Sequence, residues 1–421
     1  MNTDKYKVKS QDLHKVCNPS IFRFTTTAEL KPLKGIIGQE RAFNALSFGL
    51  DITNPGYNIF LSGVAGTGKS TLAKETILKK AKKEPAPCDW CYVHNFKNPD
   101  VPRAIQLPAG MGTTFKKDLA VAVDKTIDQI IRTFESEEFE YKKGNIINEF
   151  VQKTNRMYLS LEEEARSLGF TITRNEAGIT SIPIRNGEVL SQEDFMNMSE
   201  EERNDLMKNS SAVQEKLNEA FRQYRELEKN IKEKIKALET ETATEVVNLS
   251  FAGFIEKHQE YPKVLSHVKE LQENLVENIN VFVKPEEQSP FNLFRISEKK
   301  ALKRRYQVNL IVDNSSQKHA PVVIETNPTF SNLFGQIEYE GEFGVLATDF
   351  SMIKAGAFHR ANGGYLILNV TDVVNNYYIW DKLKKILKNQ EICIENISKV
   401  IGISNTETLQ PEPIPCNVKV I

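Results

Sequence analysis

Cysteine is scarce in this 421-residue chain: there are five, at Cys17, Cys88, Cys91, Cys393 and Cys416. Few, odd in number and scattered, they exclude a disulfide framework and point to a reducing compartment, the cytoplasm. Long apolar runs are missing too. No stretch approaches the ~18 residues that a membrane span requires, and the opening residues mix Lys, Asp, His and Thr with no apolar core of the kind a leader carries. Neither charge sign is in excess. Lys and Arg number 55 against 56 Asp and Glu, a net charge of -1, so the overall balance offers nothing to nucleic acid or to an anionic membrane. What the chain does have is apolar content, 40 %, sufficient for the two or three domains its length allows.

The most informative stretch is Gly63-Val64-Ala65-Gly66-Thr67-Gly68-Lys69-Ser70-Thr71, between the apolar run 57–61 and the helix-forming run 72–83. This is the full P-loop pattern in a strand-loop-helix context. Glycines at Gly63, Gly66 and Gly68 let backbone N–H groups converge on phosphate oxygens, and the helix that follows adds the positive end of its dipole. Lys69 reaches the β and γ phosphates of ATP, the Ser70 hydroxyl ligates Mg2+, and Thr71 completes the motif. About thirty residues earlier, a turn before a helix ending near Leu50 carries Ile36 and Ile37, placed to cover an adenine ring or simply to pack as a buried turn.

The rest of the chain divides by composition. Residues 1–34 read as an N-terminal arm, 35–114 as the first part of a nucleotide-binding domain, 115–285 as a helical insertion, and 286–421 as the second part of that domain. In the first part, 91–96 and 104–107 read as short strands. Cys88 and Cys91 have the spacing of a redox or zinc half-site, without a second pair nearby to complete four ligands. In the insertion, Ile147, Val151, Thr154, Tyr158, Leu161, Ala165 and Leu168 form one heptad seam, and Val213, Leu217, Ala220, Tyr224, Leu227, Ile231 and Leu238 a second. Ser199 and Glu202 form a capping box before the second seam, and 170–184 reads as a small hairpin between the two. The pattern fits an antiparallel coiled-coil arm with single helices of about 40 Å, or else one stripe of a globular helical subdomain. A third helical run, 264–279, follows, with Pro285 and Pro290 at the exit. The basic cluster 299–305 reads as a solvated helix end, since no aromatic platform for nucleic acid accompanies it. Residues 306–312 and 321–325 read as strands, and Phe334, Tyr339 and Phe343 sit in a loop-rich stretch, either projecting toward a threaded chain or packing beneath it.

A P-loop ATPase needs a carboxylate at a neighbouring strand end to hold magnesium and a second acid to polarise water. The buried-strand run 364–368 has the form for this, but Asn369 and Val370 stand where an Asp-Glu pair is expected. Asn369 can hold the metal only through water, and Val370 cannot act as a base. Asp372 is the nearest catalytic substitute; two residues along a strand displace it by roughly 6.6 Å, unless a turn beginning at Asn369 brings it back. A helix at 379–387 and a strand at 392–395 come next. The final run, 417–421, is strand-like and stops without a polar tail, which reads as a chain cut inside a strand or as a C-terminal strand docked in a sheet.

These residues resemble the Lon-like AAA+ ATP-dependent proteases, in the branch with a long helical insertion in the ATPase module. The resemblance runs through 35–42, 63–71, 89–93 with Phe96 and Pro99, 306–314, 321–325, 332–335, 338–340 and His359-Arg360-Ala361-Asn362-Gly363-Gly364-Tyr365. It implies an α/β fold, a parallel P-loop sheet flanked by helices, with ATP at the strand ends and Ile36 and Ile37 on adenine. A homo-oligomeric ring, usually a hexamer, that handles unfolded or damaged protein substrates for a peptidase chamber is implied with it. Such families place a serine-lysine dyad, a sensor and a lid beyond the point where this sequence stops, so no peptidase activity is expected of these residues. The alternative reading is a non-hydrolysing nucleotide-dependent chaperone or scaffold with a partner-binding arm.

Overall fold

A computed structural model of the chain describes residues 3–31, 38–54, 56–64, 66–175, 178–185, 187–283, 292–342, 345–396 and 409–421. The N-terminal residues carry only short 3₁₀ turns and add nothing to the core. Helix α1 (Glu40–Asp51) and helix α2 (Lys69–Ala81) then pack together through Leu46, Leu50, Ala73 and Ile77. The run 57–61 between them, expected as a strand, is extended but forms no ladder. Its Ile59 N–H reaches the Val420 carbonyl at 3.0 Å, while the Asn58 side chain accepts from the Val420 N–H at 2.9 Å. A side-chain amide thus takes the place of a backbone partner, and Phe60 stays 71 % exposed.

Strands β1 (Asp89–Val93) and β2 (Arg103–Leu107) lead into helices α3 (Met111–Phe134) and α4 (Glu137–Ser167). At the far end of α4 a small antiparallel sheet forms from β3 (Phe170–Asn175), β4 (Gly178–Arg185) and β5 (Glu188–Val189). Short α5 (Gln192–Met196) precedes the 58-residue α6 (Glu200–Lys257), which starts on the expected capping box: the Glu202 N–H donates to Ser199 Oγ at 3.3 Å and the Ser199 N–H to Glu202 Oε2 at 2.9 Å. Helices α4 and α6 run antiparallel, since Glu149 pairs with Lys234 at 3.0 Å and Glu164 with Lys216 at 3.1 Å. Lys153 first, then Lys234, holds the Glu149 carboxyl down at about 2. The seam is most deeply buried at its two ends. Leu161, Ala165, Val213 and Leu217 are buried at the tip and Phe139, Ala243 and Val247 at the base, whereas Ile147, Val151 and Tyr224 are 41 %, 46 % and 37 % exposed. Of the expected heptad residues between the ends, Thr154, Tyr158, Leu227, Ile231 and Leu238 are half-buried, and Phe150 of α4 lies 6.0 Å from the Tyr224 ring of α6.

The chain returns through α7 (Pro262–Glu277), α8 (Asn280–Val283) and α9 (Asn292–Arg305) to β6 (Val308–Val312). Here the expected single parallel sheet needs correction. Strand β1 pairs antiparallel with both β2 and β6, so the runs at 91–96 and 306–312 make a separate sheet, ordered β2-β1-β6, on which α3, α6 and α7 are seated. Asp89, fully buried, ties this seat together by accepting from the Gly112 N–H at 2.8 Å and the Asn314 N–H at 2.7 Å. Phe251, buried in the same cluster, is worth about 3 kcal/mol or more against truncation to alanine. Cys91 lies in this core, where burial first and then Asp89 push its thiol up to about 12; it behaves as a small apolar side chain.

Beyond β7 (Val322–Glu325) and α10 (Phe330–Phe334), four short strands follow: β8 (Gln336–Ile337), β9 (Glu340–Glu342), β10 (Val345–Ala347) and β11 (Ile353–Lys354). Phe334 is buried and stacked on Phe358 at 5.7 Å, and the Tyr339 hydroxyl is bonded to Asn396 at 3.1 Å, so both pack beneath the loops; Phe343 lies outside the described residues. Helix α11 (Ala357–Arg360) precedes β12 (Gly364–Leu368), and α12 (Val370–Val374) and α13 (Tyr377–Asn389) follow it. Helix α13 buries Ile379, Leu383 and Ile386 at spacings of four and three, one apolar face toward the sheet. Strands β13 (Glu391–Ile392) and β14 (Ile414–Pro415) pair antiparallel, and β15 (Val418–Val420) lies parallel to β12. The parallel sheet is ordered β15-β12-β7, with 57–61 along the outer side of β15.

Candidate nucleotide site

The glycines that the P-loop pattern requires adopt the backbone that needs them. Gly66 and Gly68 have φ of 83° and 79°, left-handed values that cost L side chains energy, and Gly68 caps α2. Thr67 Oγ1 donates to the Val64 carbonyl at 2.8 Å, and the Lys69 ammonium folds back onto the Gly63 carbonyl. Ser70 and Thr71, in the first turn of α2, are exposed. The N–H groups of the first turn, the helix dipole and the Lys69 ammonium together make an anion-binding helix start.

The direction of α2 decides what this start faces. At its far end the Tyr365 hydroxyl, from the second residue of β12, donates to both carboxylate oxygens of Glu84 at 2.9 Å, while Ala73 and Leu72 pack in one cluster with Ile367. Helix and strand are thus antiparallel, so the P-loop end of α2 stands at the end of β12 that leads into Asn369. Lys419 on β15 fixes the preceding helix: its ammonium bonds the Gly49 carbonyl at 3.0 Å, the Leu50 carbonyl at 3.3 Å and the Ile52 carbonyl, holding the negative end of α1. Ile36 and Ile37 lie outside the described residues.

At the strand end, Asn369 caps α12. Its Oδ1 accepts from the Thr371 N–H at 3.3 Å and from the Thr371 hydroxyl at 2.9 Å, and its Nδ2 donates to Asp372 Oδ2 at 2.9 Å. A turn beginning at Asn369 does return Asp372 to the strand end. Both lone-pair positions of the Asn369 oxygen are occupied within the cap, which leaves the Asp372 carboxylate as the anionic acceptor beside it. Val370 is 40 % exposed and offers no polar atom.

The segment before β12 explains why its residue types are so particular. Asn362 Nδ2 donates to the Pro415 carbonyl at 2.8 Å and its Oδ1 accepts from the Asn417 N–H at 2.7 Å, locking β12 to the chain entering β15. Gly363 has φ of 81°, and a Cβ there would fall 2.5 Å from Pro87; one at Gly364 would fall 2.2 Å from the Pro321 carbonyl. His359 is buried, accepts from the Gly356 N–H at 3.2 Å, and is pushed down to about 3 by burial and then by Arg360. Arg360 in turn reaches Glu325 at 3.4 Å.

Compared with known families, residues 318–421 match the model described as LonB-like, AAA domain, and residues 89–121 the one described as Lon-like LonC helical domain. These two stretches of the chain are similar to Lon-like AAA+ proteins. The first match takes in β7, β12 and β15, and the second opens at β1 and ends within α3; the P-loop lies outside both. An AAA domain is an α/β nucleotide-binding module, which agrees with a helix start aimed at the end of a parallel sheet. No curated protein matches the chain. Among the described residues no helix is long and apolar enough to cross a membrane. Sequence reasoning missed Asn58, Glu84 and Lys419, which set the P-loop against the sheet. Their only sequence signal is a polar residue inside or beside an apolar run.

Proposed function

We propose that this chain is the ATP-binding, substrate-handling AAA+ module of a Lon-like ATP-dependent protease. The observation that carries the reading is the left-handed Gly68 opening α2 at the same sheet end as Asn369 and Asp372. Backbone N–H groups and Lys69 take the phosphates, Ser70 and Thr71 stand at the helix start where a magnesium ion would bridge to them, and Ile36 with Ile37 covers adenine. Bound magnesium would neutralise phosphate charge. Asp372 accepts from the attacking water, and Asn369 positions Asp372. With no acid at Val370, turnover is slow.

Residues 1–34 form an arm, 35–114 and 286–421 the nucleotide-binding domain, and 115–285 the helical insertion. The working form is a cytoplasmic homo-oligomeric ring, a hexamer, that receives unfolded or damaged proteins. A fluorescent ATP analogue should bind the chain saturably with magnesium, and Lys69→Ala should weaken that binding. In a phosphate-release assay, turnover lost in Lys69→Ala but kept in Asp372→Ala would rule Asp372 out as the base. Saturable binding without any turnover would instead favour the non-hydrolysing chaperone or scaffold.

A further inference from the structure

The N-terminal arm is apolar and basic, and its own molecule leaves it uncovered. Tyr6, Val8, Leu13, Val16, Ile21 and Phe22 are all exposed, Val16 by 89 % and Tyr6 by 80 %. Single exposed apolar residues are ordinary, but a run from Tyr6 to Phe22 that carries six and buries none is not. Local bonds shape the arm: the Phe22 N–H donates to the Pro19 carbonyl at 3.1 Å, and the Thr26 N–H to Glu29 Oε1 at 3.2 Å. Extended residues separate these 3₁₀ turns, so the arm is not the continuous amphipathic helix that lies on a lipid surface. Residues 1–34 hold seven Lys and Arg against three Asp and Glu in a chain whose net charge is -1. Lys7, Lys9, Lys15 and Arg23 make no ion pair among the described residues.

The tip of the insertion presents the complementary surface. Across the whole tip, 169–209, eight Asp and Glu stand against four Lys and Arg. The excess is gathered in 187–207, which comprise β5, α5 and the start of α6, with seven acids against Arg203 alone. Arg203 is already engaged, donating to the Met196 carbonyl with its guanidinium 5.8 Å from the Phe195 ring centre. The α6 dipole accounts for Glu200, Glu201 and Glu202 in its first turn, but not for Glu188 or Asp205. Nor does it account for Val189, Met196 and Met207, exposed among these acids at 59 %, 74 % and 63 %. Three of the chain's seven methionines fall within 196–207, and their flexible thioethers let one surface accept apolar side chains of differing shape.

We infer that the basic, apolar N-terminal arm of one copy docks on the acidic, methionine-bearing tip of a second copy's insertion. Each surface sets apolar side chains within charge of one sign, and the signs are opposite. Both stay uncovered in the single chain, so neither covers the other within one molecule. The other exposed apolar corner, at Tyr377 and Trp380, gives a basic arm no preference, because Asp381 there is already paired with Lys385 at 2.9 Å and Lys384 at 3.5 Å. Val189, Phe195, Met196 and Met207 with their acidic rim offer roughly 500 Å², about 1,000 Å² with both partners counted, the size of a weak contact. The contact is heterologous: two copies exchange arms reciprocally, or each passes its arm to the next around a ring. It goes beyond the nucleotide reading and does not depend on it, since no residue of the P-loop or of the strand end takes part.

Sedimentation velocity of the 421-residue chain without nucleotide tests this. Self-association is expected, weakening as NaCl rises from about 50 to 500 mM. Reversing the arm (Lys7→Glu, Lys15→Glu, Arg23→Glu) or the tip (Glu188→Lys, Glu201→Lys, Asp205→Lys) should each weaken it about tenfold or more, with the helical circular dichroism retained. Mixing the two singly reversed chains should restore it, because each then offers what the other lacks. Cys17 is exposed in the arm, so in Met207→Cys a bismaleimide should join two copies in a link that the unsubstituted chain does not form. A chain that stays monomeric throughout, reversals without effect, or a folded mixture that fails to reassociate would each overturn the proposal. So would a cross-link that closes within one chain, or an arm that binds phosphatidylserine vesicles or a single-stranded oligonucleotide equally well whether or not the tip is reversed.

Discussion

The two halves of the nucleotide site are built from different materials. The P-loop half is mostly backbone: Gly66 and Gly68 in left-handed conformations, free N–H groups at the start of α2, and one ammonium. The strand-end half is mostly side chain: Asn369, Thr371 and Asp372 bonded in a cap where a pair of acids is expected. Backbone geometry tolerates little substitution, because the glycines either remain or the loop strains. Side-chain chemistry is easily exchanged, and Asn369 and Val370 bring no charge to a strand end whose fold is intact. On the proposed reading, binding and hydrolysis rest on separate halves of the site.

That contrast can be pressed from either side. Lys69→Ala removes the only side-chain charge of the first half and should weaken ATP-analogue binding by roughly tenfold to a hundredfold, the value of about 1.5–3 kcal/mol for a charged hydrogen bond; equilibrium titration reads it directly. Acid should act on the second half, through the histidine behind β12. Burial keeps His359 neutral in the fold, at about 3, against about 6.5 when unfolded. Its contribution is full above pH 6.5 and is lost as pH falls toward 3, a deficit of about 2 kcal/mol at pH 5. Urea melts at pH 7.5 and 5 should show a smaller gap in His359→Gln; an equal gap in both proteins would remove His359 as the cause. Asp372→Ala should lower phosphate release about tenfold while leaving nucleotide affinity within a factor of two or so, the behaviour of a group that acts on water and not on phosphate. Gly68→Ala should cost about 1 kcal/mol of stability from a strained φ, small but confined to the first half, and thermal melts with and without nucleotide would locate it.

Much of this arrangement was readable in the residues. The P-loop glycines, the capping box at Ser199 and Glu202, the buried run 364–368 and the apolar face of α13 all carry local signals, and each forms the element its pattern predicts. Partner choice was not readable. Short apolar runs such as 91–96 and 306–312 look alike whether they join a parallel or an antiparallel sheet, because alternation and β-branching do not encode a neighbour. The run 57–61 failed as a strand for a particular reason, the Asn58 amide standing in for a ladder bond. Asp372 was legible only as a conditional: the N-capping habit of Asn369 brings it back, and the cap does form. Heptads placed the two arm helices correctly but left the closure of their seam undetermined, since periodicity records which side chains share a face and not what covers them.

The bond between Asn58 and Val420 joins residues 362 positions apart. Strand β15 stands between the P-loop run and β12, so the phosphate-binding loop is braced only after Val418, Lys419 and Val420 exist. At ribosomal speeds of about 5–20 residues per second, those residues follow the P-loop by roughly twenty to seventy seconds. The insertion, whose helix ends and hairpin are held by nearer contacts, can fold during that interval. The nascent protein therefore displays its arm before its nucleotide site is assembled.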